Sequence, residues 1–130
     1  MRKFKLFAGV MALAVLMLAS TSCGSEAGLL FITIIPEETT LTVSKQTVQF
    51  IANGVFERGP DQNITDQVTW ASSQESVATI SNNASDSKGL ATAGPCPVTP
   101  TSANGTTTIS ASLKGKTATA ELTVSISFCP

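Results

Sequence analysis

From residue 30 onward, apolar and polar residues alternate in short runs, which is the period of a β-strand with one buried face. The clearest run covers residues 117–128, where every even position is apolar and every odd position is Thr, Ser or Glu. Residues 106–113 alternate as well, and the segment Lys114-Gly115-Lys116 separates the two runs. Because Gly adopts positive φ without a steric cost, this segment predicts the turn of an antiparallel hairpin.

Further short runs predict the remaining strands. They lie at residues 31–35 and 41–43, which Pro36 separates, and at residues 47–53, 67–71, 77–81 and 90–93. The intervening stretches are rich in turn-forming Gly, Pro and Asn, and they lie at residues 53–66, 82–89 and 94–105. About seven short antiparallel strands at this spacing predict an all-β chain folded as a β-sandwich. The residues expected in its core are Phe50, Val68, Trp70, Ile80, Ile109, Leu122 and Val124.

The first 22 residues have the layout of a secretory signal peptide. Three basic residues precede an apolar run at residues 6–18, and small residues follow at positions 19–22. A helix of this run is about 20 Å long, whereas the apolar core of a bilayer is about 30 Å thick. The run is therefore too short for a stable membrane span, and we expect residues 1–22 to direct export.

Cys23 follows this leader, and residues 18–24 resemble the processing site of bacterial lipoproteins, where such a cysteine is acylated. Thr21 and Ser22 fit that pattern, although Ser20 stands where the family usually has Leu. The resemblance implies a lipidated N-terminus and linker at residues 23–28, with the membrane as a partner through Cys23. Because no Asp follows the cysteine, it also implies the outer membrane or cell surface rather than the inner membrane. The alternative is ordinary signal cleavage near residues 19–22, which would leave a secreted protein with a free thiol at Cys23.

The other two cysteines, Cys96 and Cys129, are left as a pair if Cys23 is acylated. An exported protein is in an oxidising compartment, so we expect a disulfide between them. Neither cysteine belongs to a Cys-x-x-Cys motif, and the chain has no His. We therefore predict no metal site and no cofactor.

Composition argues against catalysis and against nucleic-acid binding. Without His, the usual Ser or Cys triads cannot form. Glu37 and Glu38 are neighbours that would point to opposite faces of a strand, and we interpret them as surface residues. Asp61, Asp66 and Asp86 lack the spacing of a calcium loop and are typical turn residues. After residue 22 the chain has five basic and nine acidic side chains, and such an acidic surface does not attract phosphate backbones.

A succession of motifs resembles the group 2 bacterial immunoglobulin-like domain, which also occurs in intimin- and invasin-type adhesins. The motifs are Val-Thr-Trp-Ala-Ser-Ser at 68–73, Val-Ala-Thr-Ile-Ser at 77–81, Gly-Leu-Ala-Thr-Ala at 89–93, Gly-Thr-Thr-Thr-Ile-Ser-Ala at 105–111 and the alternating run at 118–124. The resemblance implies an immunoglobulin-like domain at residues 29–130. The chain departs from the family in three places, which are Ser44-Lys45-Gln46 in a turn that usually holds Gly, a longer link at 82–88 and an insertion at 94–104.

The resemblance implies a non-enzymatic envelope lipoprotein that serves adhesion, surface display or scaffolding through a protein partner. It also implies that Cys96 and Cys129 lie at the same end of the sandwich, within reach of each other. The alternative function is a carbohydrate-binding or accessory module with a polysaccharide as its partner. The residues expected on the partner surface are Phe56, Pro97 and Val98.

Overall fold

The computed structural model describes residues 27–85, 87–95 and 104–127, and these residues form an all-β sandwich with no helix. The prediction of an all-β sandwich is confirmed. Its strands are β1 (Leu29–Ile35), β2 (Glu38–Leu41), β3 (Thr47–Gln49), β4 (Ile51–Phe56), β5 (Gln62–Asn63), β6 (Thr69–Ser72), β7 (Ala78–Ile80), β8 (Leu90–Ala93), β9 (Gly105–Leu113) and β10 (Lys116–Val124).

One layer consists of two three-stranded sheets, in the orders β1-β4-β5 and β3-β8-β7. Strands β3 and β4 are separated by Phe50 alone, and the Phe50 N–H donates to the Gly89 carbonyl at 2.8 Å. Because this bond continues the ladder across the break, β3 and β4 act as one strand that joins the two sheets.

The other layer has the order β2-β10-β9-β6. Strand β10 pairs antiparallel with β9, as the hairpin pattern predicted, but it pairs parallel with β2. The expectation of purely antiparallel strands is therefore wrong at this pair. Only Pro36 and Glu37 separate β1 from β2, so the chain crosses from one layer to the other without reversing its direction.

The hairpin between β9 and β10 has a two-residue turn. Leu113 pairs with Lys116, and both Lys114 and Gly115 have positive φ, of 49° and 77°. Two successive residues with positive φ are typical of the tight turns that match the twist of paired strands. The predicted turn is confirmed, and Lys116 belongs to the strand rather than to the turn.

The strand predicted at residues 41–43 is displaced. It begins at Glu38 and ends at Leu41, and Val43 is exposed in the turn that follows. The side-chain oxygen of Gln46 accepts the N–H groups of Thr42 and Val43 at 3.1 and 3.2 Å. In the same turn Lys45 has a φ of 59°, a backbone conformation that Gly adopts most readily.

The loop predicted at residues 53–66 is wrong in part, because β4 continues to Phe56 and β5 lies at Gln62–Asn63. The Gly at position 54 suggested a turn, but it lies within β4. A Cβ there would be 3.0 Å from side-chain atoms of Leu29, Ile64 and Phe56. The glycine therefore makes room for three apolar side chains. This space, rather than a turn, explains the Gly inside the strand.

The structure buries six of the seven residues expected in the core. Phe50, Val68, Ile109 and Leu122 have no exposed surface, and Trp70 and Val124 are at most 2% exposed. The exception is Ile80, which is partly buried and packs against the core. It ends β7, a strand at the edge of its sheet, so fewer neighbours cover it.

Trp70 lies at the centre of the core. Its ring centroid is 6.4 Å from that of Phe50, and its indole N–H donates to the Thr65 carbonyl at 3.2 Å. Gly89 has a φ of 81°, and a Cβ at this position would be 2.6 Å from the Phe50 carbonyl oxygen and 3.2 Å from Cε2 of Trp70. Gly89 is therefore required both by its backbone conformation and by the space that Trp70 and Phe50 occupy.

We predict that Gly89→Ala destabilises the domain much more than Gly115→Ala. Both glycines have positive φ, so each alanine costs about 1 kcal/mol in backbone strain. A Cβ at position 115 would meet no atom within 4 Å, whereas Gly89→Ala must also displace the Phe50 backbone, and we expect a total loss of about 3 kcal/mol or more. Urea unfolding followed by fluorescence of Trp70, the single tryptophan, measures both losses. Equal losses would contradict the close packing around Gly89.

Candidate interaction surface

The serines of the Val-Thr-Trp-Ala-Ser-Ser motif take part in a partly buried network of hydroxyl groups around Thr107. The Thr107 hydroxyl lies 2.8 Å from the Ser72 hydroxyl and 3.2 Å from the Ser73 hydroxyl, and it accepts the Gln74 N–H at 2.9 Å. Thr107 is 1% exposed. The network therefore ties the end of β6 to β9 inside the sandwich.

The direction of each hydrogen bond in this network follows from its acceptors. Ser72 donates to the Ala78 carbonyl at 2.7 Å, because a carbonyl can only accept. The hydrogen between Ser72 and Thr107 must then come from Thr107, and Ser73 must donate to Thr107. Ser73 in turn accepts the Thr108 N–H at 2.9 Å. All these hydroxyl groups are satisfied by structural partners, so the motif serines hold the fold together.

The side chain of Asn82 caps β6, which is an edge strand of its layer. The Trp70 N–H donates to Asn82 Oδ1 at 2.8 Å, and Asn82 Nδ2 donates to the Trp70 carbonyl at 2.7 Å. The amide thus takes the place of a neighbouring strand and protects this edge from pairing with another chain. Asn104 forms the same pair of bonds with the backbone of Ile126, at 2.8 and 3.3 Å, and extends the β9–β10 ladder.

The acidic residues considered as metal ligands are dispersed. All four described residues of this set are exposed, namely Glu37, Glu38, Asp61 and Asp66. Asp86 lies outside the described residues. Within the described ranges no three Asp, Glu or Cys side chains are close enough together to hold a metal ion. The same part of the chain has no helix that is long and apolar enough to cross a membrane.

Several predicted site residues fall outside the described part of the chain. These are Cys23, Cys96, Cys129, Pro97 and Val98. Lipidation of Cys23 and the disulfide between Cys96 and Cys129 therefore stay predictions.

Different segments of the chain lie at the two ends of the sandwich. At the first, which we call the N-terminal end, β1 begins and Leu29 pairs with Phe56. At the opposite end, Gly94 donates its N–H to the Val77 carbonyl, and Gly105 pairs with Val124. Both flanks of the insertion at residues 94–104 therefore leave the sandwich at the end opposite to the start of β1.

This arrangement separates residues that were expected on one partner surface, because Phe56 lies at the N-terminal end and the insertion is attached at the opposite one. The continuous strand from β3 to β4 separates them by about 30 Å, at about 3.3 Å per residue. Phe56 is also half-buried and packs against the core. Phe56 and the described flanks of the insertion therefore lie at different ends of the sandwich, and the partner surface stays a prediction.

Apart from Val43, the large exposed apolar residues of the described chain lie on β1 and β4, where no partner surface was expected. Phe31 is 51% exposed, Ile35 is 54% exposed and Ile51 is 37% exposed. Phe31 pairs with Val55 and Ile35 pairs with Ile51, so they share one face of the sheet. The run Leu-Leu-Phe-Ile-Thr-Ile-Ile at 29–35 carries a signal for this face, because it is apolar on both sides of a predicted strand.

The outer face of β9 and β10 has the opposite character. Its positions alternate with the buried ones and are occupied almost entirely by Thr and Ser. Thr106 bonds Thr123 at 3.1 Å and Ser112 bonds Thr117 at 3.0 Å across the two strands. This face is polar and hydrated, as the alternating pattern predicted.

An open depression of about 620 Å³ lies beside β4 and is lined mainly by polar side chains. Gln49, Asn63, Asp66 and Lys88 are among its lining residues, and Lys88 Nζ donates to the Asp66 carbonyl at 2.7 Å. Amide, carboxylate and ammonium groups at one shallow site can form hydrogen bonds with a polar ligand.

A comparison of the chain with models of protein families finds no match, and neither does a comparison with curated protein sequences.

We predict that Thr107→Val destabilises the domain by about 1–3 kcal/mol, because the Gln74 N–H and the Ser72 oxygen lose a buried partner. The control is Thr108→Val, the same change at the next position of β9, where the side chain is exposed. We expect the control to change stability by less than about 0.5 kcal/mol. Urea unfolding of both variants is the measurement, and equal stabilities would show that the hydroxyl network contributes nothing.

Proposed function

We propose that this chain is a non-enzymatic lipoprotein of the bacterial cell envelope, anchored by an acylated Cys23 and folded as a single immunoglobulin-like module. It presents one end of its sandwich to a protein partner, in adhesion, surface display or scaffolding. The disulfide between Cys96 and Cys129 holds the insertion in place.

The strand arrangement supports the immunoglobulin-like part of the proposal. The sheets β1-β4-β5 and β3-β8-β7 in one layer and β2-β10-β9-β6 in the other resemble the two layers expected of such a domain. The motif residues also have structural roles that suit a shared fold. Trp70 fills the core, Gly89 lies against it, and Ser72 and Ser73 join the hydroxyl network.

The observation that carries the functional proposal is the separation of the two ends. Five residues lie between Cys23 and Leu29, so an anchor at Cys23 keeps the N-terminal end close to the membrane. The flanks of the insertion, Gly94 and Asn104, lie at the opposite end. An anchored module of this kind therefore attaches its most distinctive loop at the end opposite to the anchor, where a partner can reach it.

We expect the native protein in the membrane fraction to begin at Cys23 and to carry two or three acyl chains. Reduction should add the mass of about two hydrogens, for one disulfide. Intact-mass spectrometry before and after reduction measures both. An unmodified mass in the soluble fraction would contradict the anchor, and it would favour the secreted form of the protein.

A polysaccharide ligand is the second candidate, and the polar depression beside β4 is the observation that favours it. If sugars bind there, Asp66→Ala should reduce the fraction of protein retained by envelope polysaccharide. The matched control is Glu75→Ala, which removes an exposed carboxylate outside the depression. Equal retention of the two variants and the wild type would exclude this depression as a sugar site.

A further inference from the structure

A β-bulge at the start of β1 breaks the alternation of buried and exposed residues. The register between β1 and β4 shifts between Leu29 and Phe31, so Leu30 is the additional residue. As a result two successive apolar side chains point outward, and Leu30 is 46% and Phe31 51% exposed. The bulge therefore adds Leu30 to Phe31 as an exposed apolar pair at the N-terminal end of the sandwich.

A second exposed apolar pair lies on the same sheet, beyond the polar pair of Thr33 and Asn53. Ile35 and Ile51 pair with each other further along the same outer face, and neither β1 nor β4 contains a charged residue. We call the exposed side chains of Leu30, Phe31, Ile35 and Ile51 the apolar face. Exposed apolar side chains grouped on one uncharged sheet face are typical of a protein or membrane contact.

The position of the apolar face relative to Cys23 indicates which contact this is. Leu30 follows Cys23 by seven residues, so the two are at most about 25 Å apart even along a fully extended chain. A tether this short keeps the apolar face at a high effective concentration next to the bilayer that holds the acyl chains. An exposed ring and aliphatic side chains are the groups that enter the boundary between lipid headgroups and acyl chains.

Charges near the apolar face indicate that the contact is hydrophobic rather than electrostatic. Arg58, Lys114 and Lys116 lie at the N-terminal end, but Glu57 and Asp61 lie there as well. The two signs nearly balance, so anionic lipids would add little attraction. The opposite layer presents a Thr- and Ser-rich outer face, which favours water.

We propose that the apolar face rests on the bilayer to which Cys23 is anchored, so that the domain lies against the membrane through β1 and β4. This inference rests on the proposed lipid anchor. It gives the module a fixed orientation, in which the Thr- and Ser-rich face of β9 and β10 points away from the membrane.

The test uses the full lipidated protein reconstituted into vesicles of phosphatidylcholine with brominated acyl chains, which quench tryptophan on contact. Phe31→Trp places a reporter on the apolar face, and Thr119→Trp places one on the exposed outer face of β10. Trp70 is buried and supplies the baseline in the wild type. The intact mass of each preparation reports acylation, and its unfolding midpoint reports whether the variant is folded.

We expect brominated lipid to remove roughly half of the emission that Phe31→Trp adds to the baseline and to leave that of Thr119→Trp unchanged. Equal quenching or no quenching of both reporters in an acylated preparation would overturn the membrane contact while leaving the anchor intact. Protection of the Phe31→Trp reporter from quenching, together with a dimer in detergent, would assign the face to a second copy of the chain and overturn the proposal. A preparation without acyl chains would overturn both the anchor and the orientation.

Discussion

The packing of Trp70 against Phe50 and the backbone of Gly89 is the constraint on which the rest of the structure depends. Trp70 belongs to β6 in one layer, whereas Phe50 joins β3 to β4 in the other, so their contact fixes the two layers relative to each other. Gly89 must lack a side chain for the contact to form, and Asn82 holds the backbone of Trp70 in place from the free edge of β6. The indole N–H is satisfied by Thr65, whose hydroxyl also accepts the Ala52 N–H of β4 at 3.0 Å. A core this small depends on one large side chain with every polar atom satisfied.

Much of this fold could be predicted from the alternation of apolar and polar residues. The hairpin of β9 and β10 is long and strictly alternating, and its turn has the residue type that positive φ requires. The parallel pairing of β2 with β10 could not be predicted in the same way, because a period of two is identical in parallel and antiparallel strands. The turn expected at Gly54 is wrong for a related reason. A glycine that admits neighbouring side chains cannot be distinguished from one that forms a turn until those neighbours, here Leu29, Ile64 and Phe56, are known.

The candidate surface was less predictable than the fold. Phe56 borders a turn-rich stretch, which favours exposure, but its side chain packs over Gly54 and against the core. Phe31 is exposed by ordinary alternation, on the same face as Ile35, whereas the exposure of Leu30 follows from a bulge that shifts the register by one residue. A bulge depends on how two strands pair, and the sequence of one strand does not reveal it. The two candidate surfaces lie at different places on the domain. The apolar face adjoins the start of β1, whereas the insertion is attached at the other end of the sandwich.

The central claim is that contact between the apolar face and the bilayer orients the domain on a membrane. Hydrogen–deuterium exchange of the lipidated protein on vesicles tests it most directly, with Cys23→Ser, which cannot be acylated, as the comparison in the presence of the same vesicles. The account predicts slower exchange in peptides from residues 29–35 and 51–56 of the lipidated protein, and unchanged exchange in peptides from residues 94–104 and 116–124. Slower exchange at residues 94–104, with no change at residues 29–35, would contradict it, because the insertion rather than the apolar face would then meet the bilayer.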